Sequence, residues 1–227
     1  MTQVGAGSGV GAGVKALNCA YRRALVCGGL HSVLFTMFAG TLAALPTLAN
    51  AGGQVEEQLM DSVRNALSAA VSAAMPPEPV FADTESRLRY LRWLGAMSER
   101  LKKHKPEWQQ RKEFLQTLWY ESKRARLEPS LVLGLIQVES NFRKFAVSPV
   151  GARGYMQVMP FWVRQIGDGD AGKLFMLQTN LRFGCVILRH YLDIENGDLV
   201  MSLGRYNGSR GKLAYPQAVI AAQRKWE

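Results

Sequence analysis

The residue with the clearest capacity for chemistry is Glu139, which ends the apolar stretch LVLGLIQVES at 131–140. A carboxylate in these surroundings loses hydration, and at the carboxyl end of a helix it also meets the negative end of the helix dipole. Both effects raise the pKa of a carboxyl group. A glutamate that keeps its proton near neutral pH can act as a general acid toward a glycosidic oxygen. The alternative is a terminal glutamate that faces solvent or pairs with Arg143.

Apolar periodicity predicts that this residue lies in a mostly α chain. The spacing of apolar side chains indicates seven helices, with the stretch that ends at Glu139 as the central buried one. The predicted helices are 54–75, 84–104, 106–125, 131–140, 178–192, 198–206 and a short one from Pro216 towards Trp226. Between the fourth and fifth of them, residues 141–160 are polar and Gly-rich and predict loops with short extended pieces.

The chain divides into three parts. Pro76, Pro77 and Pro79 form a stiff linker that ends the first helix. We therefore assign residues 52–82 to a helix and a Pro-rich linker, and residues 83–227 to one helical domain. Residues 54–125 either dock to a partner or buttress that domain, and the sequence leaves both alternatives open.

The first part, residues 1–51, has the pattern of an export signal. A basic segment precedes an apolar run at 24–45, and Ala49-Asn50-Ala51 is an A-x-A cleavage signal. The run is also long enough for an uncleaved membrane anchor. A lipoprotein fits less well because Cys19 and Cys27 precede the apolar run. Each alternative implies export across a bacterial inner membrane, so we expect a periplasmic protein.

Composition narrows the class of protein further. The chain has 227 residues, 48% of them hydrophobic, which excludes global disorder, and its formal net charge is +10 at pH 7. An anionic partner is therefore plausible, but no nucleic-acid recognition motif accompanies the charge. Cys185 lies on a helical stripe and is expected in the core. No His, Cys or Asp cluster has metal-ligand spacing, and we expect no metal and no cofactor.

Five short motifs follow in order, and together they carry a resemblance. Glu139 and Ser140 come first, and the last motif joins Tyr215 to Val219. The five are Glu139-Ser140, Gly154-Tyr155-Met156-Gln157-Val158-Met159-Pro160, Asn180-Leu181-Arg182-Phe183-Gly184, Tyr206-Asn207 and Tyr215-x-x-x-Val219. This series, with a motif core at 130–220, resembles the catalytic domain of the family 1, soluble-type lytic transglycosylases of the lysozyme-like superfamily. The resemblance implies a lysozyme-like catalytic domain with an N-terminal helical appendage.

The resemblance also implies a reaction. Glu139 matches the glutamate that donates a proton to the β-1,4 bond between N-acetylmuramic acid and N-acetylglucosamine in peptidoglycan glycan strands. As a carboxylate it would then take the proton of the muramic C6 hydroxyl, which attacks the anomeric carbon and leaves a 1,6-anhydro end. Family members also open the wall locally for secretion systems, so envelope or secretion machinery is a possible partner.

The remaining roles follow from the same matches. Ser148 and Gln157 match positions that hydrogen-bond the glycan or orient the glutamate. Met156 and Met159 match methionines that line the cleft. Tyr206 matches a tyrosine whose hydroxyl faces the catalytic carboxyl. Asn207 matches the neighbour of that tyrosine, and Tyr215 is expected to form a wall of the sugar groove.

Two positions depart from the family pattern. Tyr155 replaces a leucine, which suits a groove wall because aromatic rings stack on sugars. Arg205 replaces an alanine, and it either adds positive charge to the cleft or lies on the surface. Neither change removes the acid.

The number of catalytic carboxyl groups distinguishes two reactions. Most glycosidases use two. The other acidic residues of this region fall in turns or at helix caps, where a structural or solvated role is expected: Asp168, Asp170, Asp193, Glu195 and Asp198. A single acid assisted by the acetamido group of the substrate therefore fits better. A lysozyme-type hydrolase, or an inactive peptidoglycan-binding or assembly protein, remains the alternative.

Overall fold

The structure, a computed structural model, describes residues 54–72 and 79–227. Within these ranges the chain forms eight α-helices and one 3-10 helix. They are α1 Asp61–Ser72, α2 Thr84–Leu101, α3 Trp108–Arg124, α4 Pro129–Ser140, α5 Pro160–Ile166, the 3-10 helix Ala171–Phe175, α6 Leu177–Ile194, α7 Leu199–Asn207 and α8 Ala214–Gln223. In place of β-strands, the described ranges contain two isolated antiparallel bridges, Val147 with Arg153 and Arg153 with Val158. The predicted mostly α fold is therefore confirmed, whereas the predicted export signal at 1–51 lies outside the described residues.

The seven predicted helices are all present, but the first was predicted too long. Residues 54–60 are not helical, and α1 begins only at Asp61. Side chains of this stretch bind to other parts of the domain, as described below, and hold it extended. The bridges at Val147, Arg153 and Val158 agree with the short extended pieces predicted between 141 and 160.

Aspartate side chains cap the starts of two helices. The Asp83 carboxylate accepts a hydrogen bond from the Ser86 amide at 2.6 Å at the start of α2. Asp198 accepts one from the Met201 amide at 3.0 Å at the start of α7. These caps satisfy amide groups that the first turn of a helix leaves without partners.

Helix α4 forms the centre of the core and packs against α3 and α8. Every residue from Leu131 to Ile136 is buried. Gly134 allows α8 to approach closely, because a Cβ at this position would lie 2.6 Å from the Gln223 amide nitrogen. The helix ends at Asn141, which adopts the left-handed conformation with φ of 49°.

Helix α5 and the 3-10 helix were not predicted from the sequence. Both are too short to show a periodic pattern, and Gly167 and Gly169 separate them. Burial of Phe161, Trp162 and Ile166 holds α5 against the core. Helix α1 packs on α5 and α6 without burying any residue fully.

Candidate active site

Glu139 lies in the last turn of α4 and is buried, with 5% of its surface exposed. Burial raises the pKa of its carboxyl from 4.5 to about 8, and a hydrogen bond from Tyr215 partly opposes the rise. The Arg143 side chain donates instead to the Ser140 carbonyl oxygen at 3.0 Å. Glu139 therefore neither faces solvent nor pairs with Arg143, and its carboxyl is mainly protonated at pH 7.

Two buried tyrosines flank this carboxyl group. The Tyr215 hydroxyl on α8 donates to Oε1 of Glu139, and Oε2 has no hydrogen-bond partner among the residues that the structure describes. The Tyr206 hydroxyl on α7 donates to the Met156 carbonyl oxygen at 2.8 Å. Burial and the nearby Glu139 raise the pKa of both phenols. The tyrosine whose hydroxyl reaches the glutamate is therefore Tyr215 rather than Tyr206, because α8 packs directly on α4.

A tight loop at 146–158 presents Met156 to this cluster. Gln157 has a φ of 48°, and its side-chain amide donates to the Ala146 carbonyl oxygen at 3.1 Å and to that of Gly154 at 2.9 Å. The Ser148 hydroxyl accepts from the Ala152 amide at 3.1 Å. Ser148 and Gln157, predicted to bind the glycan or orient the glutamate, thus hold the loop in shape here.

Asn180 on α6 fastens the same loop, a role the sequence did not reveal. Its Oδ1 accepts from the Met156 amide at 2.8 Å, and its Nδ2 donates to the carbonyl oxygens of Arg153 at 2.9 Å and Leu174 at 2.8 Å. The residue is fully buried. The only signal was its place in the Asn180–Gly184 motif, which carried no assigned role.

The two predicted cleft methionines differ in their surroundings. Met156 is fully buried, and it packs so closely on α6 that a Cβ at Gly184 would lie 2.4 Å from its sulfur. Met159 is half-buried and directly precedes α5. Met159 therefore has surface that a bound molecule could contact.

Tyr155 is not a groove wall. Only 4% of it is exposed, its ring lies edge-on to Phe114, and its hydroxyl accepts from the Lys105 ammonium at 2.8 Å. Burial raises the pKa of this phenol to about 12. The aromatic side chain was expected to stack on sugars, but the turn directs it into the core instead.

Arg205 and Asn207 lie on α7 near the cluster. Arg205 forms ion pairs with Glu195 at 2.5 Å and with Glu57 at 2.8 Å, so its charge is already paired. The Asn207 side-chain amide donates to the Ser209 hydroxyl at 3.0 Å, and within the described ranges its buried Oδ1 has no hydrogen-bond partner.

The five other acidic residues of the region have structural roles, as predicted. Asp168 pairs with Lys173, and Asp193 pairs with Arg189 at 2.7 Å. The Glu195 carboxylate binds Arg205 and Arg210, which hold its pKa at about 2. The remaining two act as helix caps: Asp170 on the 3-10 helix and Asp198 on α7.

One residue beside the site comes from a stretch that the sequence gave no reason to consider. Gln54 is 5% exposed, and its Oε1 accepts from the Trp162 indole nitrogen at 3.0 Å and from the Met159 amide at 3.4 Å. The Gln54 side chain also lies near the Tyr206 hydroxyl, but its buried Nε2 has no hydrogen-bond partner among the described residues.

Two further properties concern ligands and membranes. Across residues 54–72 and 79–227, no group of three or more His, Cys, Asp or Glu side chains could hold a metal ion. None of the helices in those ranges is long and apolar enough to cross a bilayer. Cys185 is buried, and burial raises the pKa of its thiol.

Comparison with known proteins identifies the domain. Residues 117–227 match the family model of the transglycosylase SLT domain. The chain is 33% identical over 96 residues to a transglycosylase of Enterobacteria phage PRD1, covering 42% of this chain and 35% of the relative. It is 45% identical over 75 residues to the membrane-bound lytic murein transglycosylase C of Actinobacillus pleuropneumoniae serotype 5b, covering 30% and 20%. The chain thus spans about a third or less of the length of these curated relatives.

A solved structure is also similar to this chain. It is an inactive mutant of the lytic transglycosylase Slt from Pseudomonas aeruginosa, with a TM-score of 0.45, 22% identity, and coverage of 62% of this chain and 29% of that one.

The buried glutamate at the end of a central helix lies in the part of the chain that matches the family model, and that part is helical. More particularly, residues 117–227 are similar to the SLT-type transglycosylase domain. The match includes Glu139, Tyr206 and Tyr215, but it does not include Gln54.

Proposed function

We propose that this protein is a peptidoglycan lytic transglycosylase with Glu139 as its acid and base. The bond cleaved joins N-acetylmuramic acid to N-acetylglucosamine. Protonated Glu139 donates to the glycosidic oxygen, and the resulting carboxylate accepts the proton of the muramic C6 hydroxyl as that oxygen attacks the anomeric carbon. The products are a free N-acetylglucosamine hydroxyl and a 1,6-anhydro-muramyl end.

The observation that carries this proposal is the burial of Glu139 with a pKa of about 8. A general acid works best when its pKa lies near the operating pH, because it is then protonated and still able to give up the proton. The Tyr215 hydroxyl orients Oε1, and Oε2 remains without a protein partner. Oε2 is therefore the oxygen best placed to carry the transferable proton.

The structural roles of the other carboxylates in this region support a mechanism with a single acid. Each acidic residue from Asp168 to Asp198 caps a helix or pairs with Lys or Arg, and no carboxylate is among the groups that perturb Glu139. A hydrolase with two carboxyl groups would need one of them to activate water. Without that group, the nucleophile is the C6 hydroxyl of the substrate.

The proposed substrate also sets the cellular location and partners. Peptidoglycan lies outside the cytoplasm, so we infer an extracytoplasmic, periplasmic protein, in agreement with the export signal expected at 1–51. Glycan strands are the primary partner, and envelope or secretion machinery that needs local openings in the wall is a further one.

The test is digestion of purified bacterial wall sacculi, with the soluble products weighed by mass spectrometry. Wild type should release muropeptides one water lighter than hydrolytic products, and Glu139→Gln should release none. Glu99→Gln is the matched control, since Glu99 lies on α2 with its side chain 72% exposed. Ordinary reducing ends would indicate a hydrolase, and binding to sacculi without any product would indicate a wall-binding protein.

A further inference from the structure

The extended segment before α1 reaches the catalytic cluster. We define the strap as residues 54–57. Its first residue, Gln54, accepts hydrogen bonds from the Met159 amide and the Trp162 indole through its carboxamide oxygen, and its side chain lies near the Tyr206 hydroxyl. Tyr206 in turn lies within electrostatic range of Glu139.

Polar contacts at the outer side fix the rest of the strap. The Glu57 carboxylate pairs with Arg205 on α7 at 2.8 Å. Gln165 on α5 donates to the Glu56 carboxylate at 3.3 Å and to the Glu57 carbonyl oxygen at 3.2 Å. The strap therefore makes contacts with both α5 and α7, the two helices that hold Met159 and Tyr206.

The position of the strap conflicts with the access to Glu139 that a glycan needs. Met159 and Tyr206 are among the proposed substrate-binding residues, yet Gln54 accepts a hydrogen bond from the Met159 amide and its side chain lies near the Tyr206 hydroxyl. Glu139, Tyr206 and Tyr215 are each at most 5% exposed. A polymer that must bring a glycosidic oxygen to Glu139 requires this region to open.

The carboxamide of Gln54 has the chemical groups needed to take the place of an acetamido group of the glycan. A primary carboxamide offers the same carbonyl acceptor and N–H donor as the acetamido group of an N-acetylated sugar. The Met159 amide and the Trp162 indole N–H both donate to the Gln54 carbonyl oxygen. A buried pair of donors needs an acceptor whenever the strap leaves, and a sugar acetamido group would supply one.

We propose that the strap is an intrasteric inhibitor: Gln54 occupies part of the glycan-binding cleft, and residues 54–57 must move away before substrate reaches Glu139. This inference rests on the proposed function for the identity of the substrate. It adds that the free protein is held in a closed form by a segment outside the SLT match. The strap and glycan compete, so each weakens the binding of the other.

The test compares strap variants in the full chain. Gln54→Ala removes the carboxamide, and Glu57→Lys places a positive charge against Arg205 at the outer end. Gln58→Ala is the matched control, because Gln58 is exposed and directly follows the strap. Equal far-UV circular dichroism and equal urea midpoints for Glu57→Lys and wild type would establish that release occurs without unfolding.

Two measurements test the inhibitory role of the strap separately from the proposed function. The first is binding of the β-1,4-linked tetramer of N-acetylglucosamine by calorimetry, in the Glu139→Gln background so that no turnover occurs. We expect about tenfold tighter binding with either strap variant, which corresponds to loss of one or two competing hydrogen bonds or one ion pair, and no change with Gln58→Ala. The second readout is the rate of release from sacculi, which should rise by a similar factor.

The outcomes are decisive in either direction. Tighter tetramer binding supports the strap even if sacculi are never digested, in which case only the proposed reaction fails. Unchanged binding in both variants overturns the proposal. Weaker binding in Gln54→Ala also overturns it, because Gln54 would then be part of the substrate-binding surface.

Discussion

The perturbed carboxyl of Glu139 makes the stability of the fold depend on pH in a definite direction. Its pKa is 4.5 when exposed and about 8 when folded. Between these values the folded protein holds a proton that the unfolded chain has released, so the free energy of unfolding falls as pH rises. This fall in the free energy of unfolding is absent below pH 4.5 and levels off above about pH 8.

Glu139→Gln isolates this effect from the rest of the protein. The amide has the same shape, still accepts the Tyr215 hydrogen bond through Oε1, and cannot ionise. Each pKa unit corresponds to about 1.4 kcal/mol. We therefore expect the variant to gain about 4 kcal/mol in unfolding free energy over wild type between about pH 5 and pH 9.

The assay is urea denaturation followed by far-UV circular dichroism at pH steps across this range. Titration of all other groups cancels when the variant is compared with wild type at each pH. Glu99→Gln should follow the wild-type curve, because that glutamate is exposed. A Glu139→Gln difference that stays within about 1 kcal/mol at every pH would refute the reasoning, since Glu139 would then ionise as an ordinary carboxyl.

Further predictions concern the groups that support this carboxyl. Activity on sacculi should decline above about pH 8, because Glu139 then ionises. In Tyr215→Phe the hydrogen bond that favours the carboxylate is lost, so this decline in activity should begin about one pH unit higher. Gly134→Ala should destabilise the fold by about 2 kcal/mol in urea denaturation, because its Cβ meets rigid α8 backbone at Gln223; an unchanged midpoint would mean that α8 packs elsewhere. Asn180→Ala should cost about 2–3 kcal/mol and reduce turnover more than substrate binding, since three hydrogen bonds to backbone groups are lost, two of them in the Met156 loop; wild-type turnover would contradict the role of the loop.

Much of the architecture could be predicted because it depends on local patterns. Apolar residues recur along α2, α3, α4 and α6, and the capping residues Asp83 and Asp198 stand at the starts of α2 and α7. The failures have two origins, one local and one tertiary. Helix α5 has seven residues, too few for a period to appear. Residues 54–60 continue an apolar helical pattern, but tertiary contacts of Gln54 and Glu57 hold them extended.

The candidate site likewise has features that follow from the local sequence and features that depend on tertiary packing. The sequence by itself determined that Glu139 is an acid in apolar surroundings at a helix end, because burial and helix position follow from its immediate neighbours. Only the tertiary structure decided which groups surround it. Tyr215 lies 76 positions along the chain from Glu139, and its hydroxyl reaches the carboxyl because Gly134 lets α8 pack tightly on α4. The approach of Gln54 to Tyr206 and the burial of Tyr155 likewise depend on packing between distant segments, which no local pattern encodes.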